Sequence, residues 1–184
     1  MWSLGVAGLV VVFVICVIFL IFAPNEVIFY QHKDYYNISD LRSDLFKNHI
    51  IERAVKWENK NNMCRSENMT FETIEVFNGE WIPPFEQRVD LRGVKSITLA
   101  KLGPMSVLKP SKDLTQNMRI LTPVQVPSEN INKCGVWVGG DFRPLDTTVM
   151  FDPNNLMSVF NSRKMVATYL IIDMKRPKKI RHVV

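Results

Sequence analysis

Few residues in this 184-residue chain have types or spacing that bear on chemistry. The three histidines, His32, His49 and His182, are far apart, and none stands at ligand spacing from a second histidine or a cysteine. A zinc site needs three or four protein donors converging, so no metal site is expected. No glycine-rich phosphate loop of either common type occurs, and residues 135–140 (GVWVGG) read as a strand bounded by turns. No serine sits in a nucleophile elbow, and no histidine lies close in sequence to Cys64 or Cys134. The expectation is a chain without catalytic residues and without a cofactor.

The remaining features point to covalent processing and recognition. Outside the first 25 residues the cysteines are Cys64 and Cys134, a pair compatible with one disulfide closing a 70-residue loop or with two free thiols. The triplets beginning at Asn37 and Asn68 are formal glycosylation acceptors. Trp81, Ile82, Pro83, Pro84 and Phe85 follow a turn signal directly. Proline excludes a continued central strand there, so the cluster is either a buried corner or an exposed contact for a partner.

Charge separates by position. The sequence carries 23 basic and 18 acidic side chains, a formal +5. Lys175, Arg176, Lys178, Lys179 and Arg181 supply that whole excess, so residues 1–174 balance to zero. A neutral folded part argues against nucleic acid as a partner. The basic run reads as a solvated tail or as a contact with anionic lipid, nucleic acid or an acidic partner.

The elements that would position these residues begin with residues 4–23, LGVAGLVVVFVICVIFLIFA, which contain no charge. At about 1.5 Å per residue a helix of this length crosses a hydrocarbon core of roughly 30 Å. The absence of a basic start and of a small-residue cleavage site favours an uncleaved anchor over a signal peptide. The expected organisation is a transmembrane anchor over 1–25, a juxtamembrane stalk over 26–38, a domain over 39–174 and a basic tail over 175–184. The pattern predicts one amphipathic helix, capped by Ser39, with a stripe of Leu41, Leu45, Phe46, Ile50, Ile51, Ala54, Val55 and Trp57. Strands are predicted over 71–77, 94–102, 105–108, 118–126, 136–138, 147–151 and 165–174, with a hairpin at Asn78-Gly79 and one or two helical turns over 154–161. The predicted fold class is α+β, one helix packed on a mainly antiparallel sheet, behind a membrane helix.

The layout, from the LGVAGLVVVFVICVIFLIFA segment to the KRPKKIR tail, resembles the small anchored per os infectivity factors of baculoviruses, factor four more than factor six. That resemblance implies a single-pass virion envelope protein, its domain outside the cytosol. It also implies a non-catalytic subunit of a hetero-oligomeric entry complex. The competing expectation is a membrane-tethered enzyme or small-ligand binder whose site is assembled from distant positions. It predicts a concave pocket collecting polar residues that the sequence keeps apart.

Overall fold

The fold is described from a computed structural model over residues 29–30, 41, 43–60, 71–89, 91–126 and 134–176. One helix, α1 (Asp44–Lys60), precedes nine strands. They are β1 (Phe71–Asn78), β2 (Val94–Leu102), β3 (Ser106–Val107), β4 (Asn117–Gln125), β5 (Cys134–Val138), β6 (Asp141–Pro144), β7 (Val149–Phe151), β8 (Met157–Asn161) and β9 (Ala167–Lys175). All named pairings are antiparallel. They build a five-stranded sheet in the order β1-β2-β9-β4-β7 and a four-stranded sheet in the order β3-β8-β5-β6.

α1 starts where a hydroxyl can satisfy its first amides. Ser43 Oγ accepts the Phe46 N–H at 3.2 Å, the N-cap bond from Ncap to N3. The helix buries Phe46, Ile50 and Ala54 against Ile74, Ile97, Leu99, Leu170 and Ile172 of the five-stranded sheet. The opposite face of that sheet packs Leu102, Leu121, Phe151 and Tyr169 against Val136, Val138 and Val159 of the second sheet. Side chains alternate along a strand, so the central strand β9 sends Leu170 and Ile172 to the helix and Ala167 and Tyr169 to the second sheet. Its near-continuous apolar run, ATYLIID, follows from burial on both sides.

This architecture corrects the predicted fold class. The described residues are mostly antiparallel β, two sheets facing each other, with one helix covering the outer face of one of them. The second sheet was hidden in β6 and β8. Residues 154–161 look like a capped helical turn, but the cap-like asparagines belong to a turn in which Asp152 Oδ1 accepts the Asn154 N–H at 2.9 Å. Beyond it, Val159 and Asn161 face inward and Ser158 and Phe160 outward, the period of a strand. The hairpin at Gly79 exists as a tight turn, with φ +76° at the glycine and the Ile82 N–H donated to Val76 O at 3.1 Å. Its returning arm is a single bridge from Phe77 to Trp81, and β1 takes β2 as its partner instead.

Residues 1–25, read as an anchor, and most of residues 26–38, read as a stalk, lie outside the described residues, as do Asn37, Asn68 and Cys64. Among the described residues no helix is long and apolar enough to cross a membrane. Phe29 and Tyr30, expected in the stalk, are docked on the domain. Phe29 bridges Phe151, and the Tyr30 N–H is donated to Met150 O at 2.9 Å, which extends the five-stranded sheet past β7.

The burial pattern separates two leucines that the sequence places in one environment. Leu170 is fully buried beneath α1, whereas Leu45, in the predicted apolar stripe, is 85% exposed. Leu170→Ala is expected to destabilise the fold by about 2–5 kcal/mol in urea titrations, and Leu45→Ala by less than about 0.5 kcal/mol. Equal losses at the two positions would contradict the placement of α1.

Candidate functional site

The cluster over residues 81–85, open between a buried corner and a partner contact, has most of its side chains turned toward the domain. Phe85 is buried with 1% exposure, and Trp81, Ile82 and Pro84 are half-buried, which leaves Pro83 as the exposed member. Trp81 meets Phe77 edge to face at 5.5 Å between centroids. The Arg53 guanidinium donates to Pro84 O, tying the corner to α1.

The basic run divides. Lys175 is the exposed last residue of β9, while Arg176 is built into the domain. Its Nε donates to Asn117 O at 3.0 Å and its Nη2 to Thr115 O at 3.2 Å, and it pairs with the Asp152 carboxylate. Lys178, Lys179 and Arg181 lie outside the described residues.

Cys134 is buried on β5, facing the space between the sheets. Its Sγ donates to Asn161 Oδ1 at 3.1 Å. Burial pushes the thiol pKa up, and the Arg163 charge opposes that shift. The Tyr169 hydroxyl is buried beside the thiol, and burial raises its pKa too. A raised thiol pKa means little thiolate and low nucleophilicity, so this cluster is built for packing. Among the described residues no group of three or more His, Cys, Asp or Glu side chains is placed to hold a metal ion.

On the outer face of the four-stranded sheet three aromatics meet. Phe142 packs between Trp137 and Phe160, with centroids at 5.3 and 5.8 Å. Gly135 makes this possible, since a Cβ there would fall 2.1 Å from Phe142 Cε2. Trp137, on this outer face, is 47% exposed.

A concavity lies at one end of the sheet face that α1 covers. Three neighbouring strands carry apolar columns beneath the helix: Val76 and Ile74 on β1, Ile97 and Leu99 on β2, Ile172 and Leu170 on β9. Each column ends in a polar residue at the same level. The register sets Glu72 opposite Lys101 and Lys101 opposite Thr168. A bulge on β4 between Pro123 and Gln125 then brings Gln125 opposite Thr168. Glu72, Lys101, Thr168 and Gln125 therefore form one row across four strands.

Above this row α1 contributes Ile51, Ala54 and Val55, and the turn before β9 contributes Met165 and Val166. The small Ala54 side chain leaves space where a larger residue would close the gap. The result is a cavity of about 250 Å³ with an apolar roof and a polar end. Burial holds the Lys101 amine below the usual lysine range. The turn that forms the far wall is fixed by Asn161, whose Nδ2 donates to Met165 O at 2.8 Å and to Leu102 O and Gly103 O at 3.2 and 3.0 Å.

No protein-family model and no curated protein matches the chain. The solved structures to which the chain is similar include cupin-domain proteins. The cupin_2 domain of an XRE family transcriptional regulator from Enterobacter cloacae has 12% identity and a TM-score of 0.43, covering 60% of this chain and 100% of that one. A cupin 2 conserved barrel domain protein from Salinispora arenicola has 9% identity and a TM-score of 0.41, covering 64% and 84%. A protein from Thermus thermophilus, TT1209, is similar at 15% identity and a TM-score of 0.44, covering 64% and 95%.

None of these is a per os infectivity factor, and the resemblance drawn from layout is corrected accordingly. The implied function as an envelope subunit of an entry complex, its envelope partners and its virion location fall with it. A layout of anchor, domain and tail uses no residue of the domain's interior, and the interior is what the fold displays.

The buried thiol yields a direct check. In the native protein Cys134 is expected to resist iodoacetamide at neutral pH and to react fully after denaturation, as read by peptide mass mapping. Native alkylation at the rate of a free thiol would contradict its burial against Asn161.

Proposed function

We propose that the protein is a small-ligand binder whose site is the cavity between α1 and the polar row. The carrying observation is the row itself, four polar side chains from four strands aligned at the edge of an otherwise apolar face. Small-molecule sites combine mostly apolar walls with a few convergent polar groups, and about 300–1,000 Å³ is typical. At about 250 Å³ this cavity suits a small ligand.

The row's chemistry selects the kind of ligand. Glu72 and Lys101 bring opposite charges and together leave no net charge, while Thr168 and Gln125 offer both donors and acceptors. A neutral head group that donates and accepts hydrogen bonds fits such a row. An apolar body fits under Ile51, Ala54 and Val55. This is the reading in which a site is assembled from distant sequence positions, and those positions span residues 51 to 168.

Octanamide is a suitable probe. Calorimetric titration of the full chain is expected to show saturable one-site binding. Ala54→Phe, which fills the cavity, is expected to abolish it, and Trp137→Ser on the remote outer face to leave it unchanged. Lack of saturable binding by octanamide, octanoate and octylamine alike would contradict the proposal.

A further inference from the structure

The same pocket contains an amine in an unusual setting. Lys101 sits in the middle of the polar row, with Leu99 preceding it on the same face and apolar side chains of α1 above. Among the described residues lining the cavity, Glu72 is the only other titratable group; α1 contributes Ile51, Ala54 and Val55, and β9 and β4 contribute Thr168 and Gln125. A lysine needs two things to act as a nucleophile near neutral pH: an environment that disfavours its charge, and a bound electrophile held within reach. The cavity supplies both, a partly apolar surround for the amine and a chamber that ends on it.

We propose that Lys101 takes carbonyl ligands of this pocket covalently, as a reversible imine. The inference rests on the binder reading and names the ligand class, a small apolar aldehyde or ketone. The ammonium releases one proton, and Glu72, directly across on β1, stands where it can accept it. The Nζ electron pair attacks the carbonyl carbon, a C–N bond forms, the C=O π pair moves to oxygen, and one N–H proton of the adduct passes to that oxygen, which restores the nitrogen pair. The hydroxyl of that adduct then leaves as water with the proton returned from Glu72, and the nitrogen pair closes the C=N bond. The net change is ammonium plus aldehyde giving iminium plus water, with no oxidant or reductant. Thr168 and Gln125, on the other side of Lys101, are placed to hydrogen-bond the carbonyl oxygen. Burial of the amine supports the reading, because it increases the uncharged fraction relative to an exposed lysine.

The test uses hexanal with cyanoborohydride on the full chain at about pH 7.5, where exposed lysines remain almost wholly charged. Trapped adducts are mapped by mass spectrometry, with the exposed Lys56, Lys112 and Lys164 as internal references. Lys101 is expected to be alkylated on the order of tenfold faster than these three. Excess octanamide is expected to remove the preference, and Lys101→Arg to leave the references labelled at an unchanged rate. Alkylation of Lys101 no faster than the references, in protein that still binds octanamide, would overturn the imine and leave the binder reading standing. Absence of both octanamide binding and preferential labelling would overturn the two together.

Discussion

One buried side chain holds the arrangement together. Asn161, fully buried on β8, donates its amide hydrogens to Leu102 O, Gly103 O and Met165 O. Its carbonyl oxygen accepts from Cys134 Sγ and from the Arg163 N–H, both at 3.1 Å. These bonds tie the second sheet to the end of β2 and shape the turn that leads into β9. A buried amide of this kind is stabilising only when its hydrogen-bonding capacity is used, since each orphaned partner costs about 1–3 kcal/mol. The pocket depends on this bonding at one remove. Met165 and Val166 form its far wall, and the turn carrying them is set by a residue on the other sheet.

The second constraint is the double-sided burial of the five-stranded sheet. Its central strands face α1 on one side and the second sheet on the other, so their charged positions are confined to the ends. At one end Asp173 pairs with Arg119 through both guanidinium arms, each at 2.8 Å. Asp113 joins the same guanidinium at 3.0 Å. One guanidinium there is shared by two carboxylates. At the opposite end the row of Glu72, Lys101, Thr168 and Gln125 borders open volume. The asymmetry separates a structural clasp from a site, because one end is closed by ion pairs and the other holds a cavity.

The sequence displayed some of this plainly. Residues 94–102 alternate cleanly and form β2 with those bounds, and the apolar run of β9 could hardly escape notice. The helix was visible as a stripe, yet a stripe read by spacing alone is too wide, and Leu45 and Val55 lie on its exposed flank. β8 was hidden because Asn154 and Asn155 serve equally well in a turn and at a helix start. Arg176 looked like tail charge because the groups that bind it, Thr115, Asn117 and Asp152, are 24 to 61 positions away. The pocket was invisible for the same reason. Its four polar residues acquire a common level only through strand register, and one of them needs a bulge to reach it. The expectation of a site gathered from distant positions could therefore name no residue.

The central claim is that this cavity, rather than the outer aromatic face, receives a small amphiphile. Amide chemical-shift mapping of the isotope-labelled full chain with octanamide tests it most directly. Saturable shifts are expected at Ile51, Val55, Glu72, Lys101, Gln125 and Thr168, with Trp137, Phe142 and Phe160 unmoved. Shifts centred on those three aromatics, with the polar row silent, would contradict it.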